Sequence, residues 1–360
     1  MKIRLEQSAF TEIVSWVQRA VGSRSQLPAL SGIRFEASKD QVTLSGTDLD
    51  LSTRASVACS VEEPGSVLLH GRLLGDIAKN LPEGAVSIAT TDNQAIISSG
   101  SASFTLRTLP LDDFPEQRDI GGVSGTITVA ELVSAVNQVA RAASTDEARP
   151  VLTGVLVESG PKKATLVATD SYRLAVREIE WSGPSEELRR VIPAKAFTEA
   201  ARMGNEGTAT ISVGETQASF EIGGRLLTTR TLEGEFPKWN GLIPKELPNR
   251  LTVDKELFID AVRRVGLLAQ AGSSVKIQLI ESGAKLTAGS QDIGDAVEQI
   301  DGKFEGEPLT VAFNPQFLID GVSAVDSNEI VLCLLDGLKP AVVRAPEDDG
   351  FIYLVMPVRA

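Results

Sequence analysis

The feature that most limits how this chain can fold is an internal repeat with a period of about 122 residues. GTDLDLSTRA at 46–55 returns as ATDSYRLAVR at 168–177, which makes Thr47-Asp48 and Thr169-Asp170 equivalent. Upstream, LPALSGIRFEAS at 27–38 matches RPVLTGVLVESG at 149–160. Downstream, Phe114-Pro115 matches Phe236-Pro237. A weaker third copy holds VKIQLIESGAKLTAGSQDIGDAVEQI at 275–300, and its tail FIYLVMP at 351–357 is expected to end where the other copies have Phe-Pro. The copies fall at 1–121, 122–245 and 246–360.

Each copy opens with an amphipathic helix. Phe10, Ile13, Val14, Val17 and Val21 recur at helical spacing, as do Leu132, Ala135, Val136, Val139 and Ala143, and then Phe258, Ala261, Val262 and Val265. The expected spans are 8–24, 129–143 and 254–270, with second helices at 71–80, 194–204 and 314–325. Short alternating runs supply strands, and Val42–Val57 reads as a hairpin. Each copy is thus two helices and about eight strands, an α+β module whose helices must bury their single apolar faces on antiparallel sheets.

Several classes of chemistry are disfavoured. One histidine, His70, leaves little room for imidazole catalysis or metal binding, and it reads as structural. Two distant cysteines, Cys59 and Cys333, make neither a disulfide framework nor a thiolate metal site, so both are expected to be reduced packing residues. No P-loop is present, and IGGVSGT at 120–126 lacks dinucleotide-binding spacing and reads as a linker. No apolar run reaches the ~20 residues that span a bilayer, and the first residues lack signal-peptide character. A cytoplasmic protein without membrane attachment, cofactor, metal or catalytic residues is the expectation. Asp48 and Asp170 invite a reading as a carboxylate pair of a β-rich hydrolase, but Thr-Asp in a hairpin turn ordinarily bonds its own backbone.

The net charge of −13 argues against nucleic acid when taken as an average. Its distribution argues otherwise. The six helical stretches sum to a slight positive charge, so the strands and loops hold more than the whole negative excess. Arg72, Asp76 and Lys79 share one face of their helix, and Lys195, Glu199 and Arg202 share the matching face one repeat later. Arg19, Arg141 and the pair Arg263/Arg264 lie on or beside the polar faces of the opening helices. Solvated faces are the plain alternative. A sparse cationic lining would instead attract phosphates weakly and without sequence preference.

With repeat and charge in place, the ordered motifs LPALSGIRFEA, LSGTDLDL, NLPEG, TLPLDDFPE, VATDSYRLAV, TLEGEFPKW, VAFNPQFLIDGV and LVMPVR carry a resemblance. Along essentially its whole length the sequence resembles the bacterial DNA polymerase III beta subunits, the sliding clamps. That resemblance implies three clamp domains per chain and a head-to-tail homodimeric ring around double-stranded DNA. It implies DNA-facing roles for Arg19, Arg24, Arg72, Lys79, Arg141, Arg149, Lys195 and Arg202. It implies a dimer interface with Phe104 and Leu106 near Leu267 and Leu268, and with Arg72 or Arg107 facing an acidic strand that carries Asp292, Asp295 and Glu298. It also implies a pocket for short hydrophobic peptides between the second and third copies. From the second copy the pocket takes Leu152, Thr169, Ser171, Tyr172, Arg173, Leu174, Pro237 and Leu242. From the third it takes Asn314, Phe317, Leu338, Val355, Met356, Pro357, Val358 and Arg359. The implied peptide partners are the polymerase III alpha subunit, the clamp loader and other proteins with clamp-binding motifs. Departures from the family pattern include Asp146 and Glu147 in a DNA-facing loop, Gly241 beside the pocket, and no cation on 314–325. A diverged paralogue of the clamp fits the same residues.

Overall fold

The Thr-Asp turns fold alike in both copies. Thr47 Oγ1 donates to the Leu51 carbonyl at 3.1 Å and accepts from Leu49 N at 3.0 Å. Asp48 Oδ1 accepts from Asp50 N at 3.1 Å and Leu51 N at 2.7 Å. One repeat later, Thr169 Oγ1 donates to the Arg173 carbonyl and accepts from Ser171 N, and Asp170 Oδ1 accepts from Tyr172 N and Arg173 N. The central residue takes positive φ in each, 82° at Leu49 and 83° at Ser171. Side-chain oxygens that satisfy the turn amides hold these two non-glycine residues in a conformation they rarely adopt. One oxygen of each aspartate is therefore committed to the turn backbone, as the sequence suggests.

The computed structural model describes residues 1–22, 27–116, 120, 122–183, 187–269, 274–290, 294–347 and 350–358. The first copy runs β1 (Lys2–Glu6), α1 (Gln7–Val17), β2 (Gly32–Ser38), β3 (Gln41–Thr47), β4 (Leu51–Ala58), β5 (Ser60–Glu63), β6 (Gly65–His70), α2 (Gly71–Asn80), β7 (Ala85–Thr90), β8 (Gln94–Ser99) and β9 (Ala102–Arg107). The second runs β10 (Val123–Thr128), α3 (Val129–Val139), β11 (Gly154–Ser159), β12 (Lys163–Thr169), β13 (Arg173–Glu180), β14 (Leu188–Pro193), α4 (Ala194–Ala200), β15 (Thr208–Val213), β16 (Gln217–Ile222) and β17 (Arg225–Arg230). The third runs β18 (Asn249–Asp254), α5 (Lys255–Gly266), β19 (Val275–Ile280), β20 (Gly283–Ser290), β21 (Gly294–Asp301), β22 (Lys303–Glu305), β23 (Leu309–Phe313), α6 (Pro315–Ala324), β24 (Glu329–Leu334), β25 (Ala341–Arg344) and β26 (Phe351–Val355). Element order repeats three times, with four strands between the helices of the second copy where the first and third have five.

Two compact units result: Met1–Ala130 with Glu199–Thr231, and Glu131–Thr198 with Leu232–Ala360. The first holds a five-stranded sheet, β5-β1-β7-β8-β9, and an eight-stranded sheet, β10-β15-β16-β17-β4-β3-β2-β6. The second holds a nine-stranded sheet, β14-β11-β12-β13-β26-β25-β24-β18-β22, and a four-stranded sheet, β21-β20-β19-β23. The large sheets are joints. In one, β17 pairs antiparallel with β4. In the other, β26 pairs antiparallel with β13. Each joint adds the last strand of one copy to the hairpin strand that follows the Thr-Asp turn of the copy before it.

The helices do what their periodicity requires. α1 buries Phe10, Ile13, Val14, Trp16 and Val17 on α2 and on β3 and β4. Thr11 Oγ1 and Gln7 Nε2 both donate to the Ala78 carbonyl of α2. α5 buries Phe258, Ile259, Ala261, Val262 and Val265 and packs on α6. Each fully buried apolar side chain of this size contributes about 1.5–3 kcal/mol. Helix ends differ from the sequence expectation. α1 tightens into a 3-10 turn at Gln18–Ala20, α3 does so at Ala140–Ala142, and α4 stops at Ala200. There the amides of Arg202 and Met203 bond three residues back, to Glu199 and Ala200, before Gly204. The tail also departs. Phe351–Val355 is the counterpart of β9 and β17 by order, and those strands precede Phe114-Pro115 and Phe236-Pro237 rather than containing them.

Candidate functional site

In the second compact unit the Thr169–Arg173 turn delivers Arg173 to the start of β13, where it pairs with Val355 of β26. The guanidinium is bound by two carboxylates. Nε donates to Asp170 Oδ2 at 2.9 Å, and Nη1 donates to Asp320 Oδ2 of α6. It also lies 4.6 Å from the centroid of the Phe317 ring. With a side chain only 11% exposed, Arg173 is a fixed feature of the site and not a mobile surface charge. Tyr353 of β26 donates its hydroxyl to the Phe317 carbonyl at 2.8 Å, and burial pushes that phenol well above its ordinary value, against the pull of Arg173.

An exposed aromatic ring borders this polar centre. Tyr172 stacks on Phe317 at 6.3 Å and is 60% exposed. Met356 N donates to the Tyr172 carbonyl, and Val358 N donates to the Ala312 carbonyl, which fixes the segment after β26. Met356 and Val358 remain partly open, and Leu242, in the 3-10 turn Asn240–Leu242, and Leu338, on the loop after β24, are exposed. Asp336 Oδ1 shapes the Leu338 loop by accepting from the amides of Leu338 and Lys339. Asn314 caps α6, its Oδ1 accepting from Gln316 N and Phe317 N. Pro237 is exposed beside buried Phe236.

The expected pocket residues thus divide. Tyr172, Leu242, Leu338, Met356, Pro357 and Val358 offer surface, whereas Leu152, Thr169, Leu174 and Val355 are buried. Leu174 belongs to the same apolar cluster as Leu156, Phe236 and Leu354. Arg359 lies outside the described residues. Sequence reasoning missed Asp320 and Tyr353. The spacing of Phe317 and Asp320, three apart on one helix face, is the signal that would have pointed to Asp320. Arg149, expected to face DNA, donates Nη1 to Ser171 Oγ at 3.0 Å and Nε to Asp146 Oδ2 at 3.2 Å, which attaches it to the rim of this turn.

The remaining DNA-facing candidates among the described residues are exposed. In the first unit Arg19 and Arg202 both bind Glu199, while Arg72 and Lys79 carry no ion pair among the described residues. In the second unit Arg141 and Lys195 are exposed. Arg24 lies outside the described residues. His70 occupies the N-cap of α2 without a side-chain capping bond.

Of the interface candidates, Leu106 is 9% exposed and half-buried Phe104 has more surface to offer. Leu267, just after α5, is 83% exposed, and Leu268 is half-buried. Asp295 is exposed on β21. Glu298 accepts two hydrogen bonds from Arg264, at 3.0 and 2.6 Å, and these hold its carboxyl below the ordinary range. Asp292 lies outside the described residues. Among the described residues no cluster of His, Cys, Asp and Glu is arranged to hold a metal ion, and no helix is long and apolar enough to cross a membrane.

Three copies of one two-helix module, their sheets fused copy to copy, define a protein of the processivity-clamp class. Family models agree along the chain. The N-terminal, central and C-terminal domains of the DNA polymerase III beta subunit match residues 1–118, 126–238 and 240–359. The beta sliding clamp of Streptomyces coelicolor is 39% identical, the match covering 100% of this chain and 99% of that protein. The crystal structure of the Bacillus subtilis clamp superposes with a TM-score of 0.95 at 32% identity, covering 100% of this chain and 99% of that one. A clamp from Pseudomonas aeruginosa bound to griselimycin gives 0.96 at 26% identity, with both chains covered in full. The chain belongs to the DNA polymerase III beta subunit family. Its function is that of the family, a DNA sliding clamp and non-catalytic replication processivity factor.

Proposed function

We propose that two copies of this chain close head to tail around double-stranded DNA, and that the Arg173 cleft tethers partner proteins by short hydrophobic peptides. The strand pattern carries the first half. β17 joins β4, and β26 joins β13, each time a last strand to a post-turn strand. By element order the next partners in the series are β9, the last strand of the first copy, and β21, the post-turn strand of the third. Both are outer strands of their sheets. An outer strand exposes a row of unpaired amides and carbonyls that another chain can satisfy. Arg107 ends β9, while Asp295, Glu298 and Asp301 make β21 acidic, so the two edges are complementary in charge. Head-to-tail contacts close into rings when the rotation permits. Domain boundaries at 121/122 and 245/246 and a cytoplasmic site of action belong to the same proposal.

The mass of the protein in solution tests the closure. A dimer is expected, and Arg107→Glu should shift the equilibrium toward monomer, while a strict monomer at micromolar concentration contradicts the proposal.

The cleft combines a fixed guanidinium, a stacked aromatic pair and partly open Met356 and Val358. Such grooves capture extended apolar segments, and methionine adapts to several partners. The polymerase III alpha subunit, the clamp loader and other proteins with clamp-binding motifs are the proposed ligands. Met356→Ala should weaken binding of a clamp-binding peptide about fivefold, the scale of a ~1 kcal/mol contact, and leave the dimer mass unchanged. Unaltered peptide affinity in calorimetry contradicts the assignment.

A further inference from the structure

Glu199, next to last in α4, accepts from Arg19 Nη1 and from Arg202 Nη1, each at 2.8 Å. Its side chain is 14% exposed, whereas those of Arg19 and Arg202 are 40% and 54% exposed. The carboxylate therefore sits deeper than the two cations it holds. Arg19 reaches it from the 3-10 turn after α1, 180 positions away in sequence, so the trio is a tertiary arrangement within the first compact unit. Glu12 of α1 pairs with Arg225 in the opposite sense, the carboxylate 68% exposed and the guanidinium 24%, and that guanidinium also lies 5.9 Å from the Trp16 ring centroid. Arg72 and Lys79 of α2 are left without such partners among the described residues.

We infer that Glu199 is a built-in counter-charge that competes with DNA phosphates for Arg19 and Arg202 and keeps the grip on the duplex weak. The inference rests on the reading of Arg19 and Arg202 as DNA-facing. Each guanidinium must exchange a charge-assisted bond to Glu199 for one to phosphate, so most of the gain cancels. The trio also presents a single net positive charge where two bare arginines would present two. A protein that must move along DNA needs contacts that position without pinning. The carboxylate sets that limit while both arginines stay pre-oriented.

The test is binding to a short open-ended duplex, which no closed ring can hold topologically, followed by fluorescence anisotropy across a salt series. The isosteric Glu199→Gln should bind roughly threefold more tightly or better at low salt, the scale of one exposed ion pair. Its plot of log affinity against log salt should steepen by about one to two, at ~0.9 per phosphate engaged. Arg19→Gln with Arg202→Gln should weaken binding and abolish the effect of Glu199→Gln. If the double arginine variant weakens binding but Glu199→Gln matches wild type in affinity and slope, the counter-charge is overturned and the DNA-facing reading stands. If neither variant changes binding, the DNA-facing reading of these arginines has failed and the inference falls with it. Thermal melting of each variant reports whether the fold is intact.

Discussion

At the scale of single residues, the site depends on a cation with two anions. Arg173 and Asp320 have side chains 11% and 14% exposed, so removing one partner strands a charge in a poorly solvated place. Asp320→Ala should cost about 2–3 kcal/mol in urea denaturation. That is below the roughly 3–5 kcal/mol of an isolated buried pair because Asp170 still binds the guanidinium. A loss within error of zero would mean that Asp170 and the Phe317 ring suffice to hold Arg173. Burial also separates the thiols. Burial pushes both thiols up, but Cys333 is 1% exposed while Cys59 is half-buried. Brief alkylation of the native protein should label Cys59 first, as read by peptide mass. What was legible at this scale was local. Thr169-Asp170 announces a turn because its partners lie within four residues. Asp320 is 147 positions from Arg173, and no local spacing reports such a contact.

At the scale of elements, α6 lies against β26 with no room to spare. A Cβ built on Gly321 would stand 2.2 Å from the Tyr353 ring. Alanine normally stabilises a helix interior by about 1 kcal/mol over glycine. Here Gly321→Ala should instead destabilise by about 1–3 kcal/mol, the usual cost of overpacking. It should also loosen the Tyr353–Phe317 hydrogen bond beneath the cleft. A raised melting temperature would refute this account of the helix–strand contact. All six helices were visible in the sequence because apolar residues recur at helical spacing on one face of each. Their ends were less visible. Residues 18–20 and 140–142 keep the helical pattern, but the backbone tightens to i→i+3 bonding there, and side-chain periodicity does not distinguish the two bonding patterns.

At the scale of the whole molecule, the repeat gave three modules but not their joints. Nothing in the sequences of Arg225–Arg230 and Leu51–Thr53 names a partner strand, and register emerges only when the strands meet. The joints β17·β4 and β26·β13 then leave β9 and β21 as the open ends of a series, from which closure by a second copy follows. A duplex enclosed in this way is retained by topology, and the cations proposed to face it, among them Arg72, Lys79 and Arg141, need supply only weak attraction. The most direct measurement is retention of the loaded protein on a nicked circular duplex before and after a single cut. The account predicts long residence on the circle and rapid loss from the linear form. Equal residence on both would contradict it.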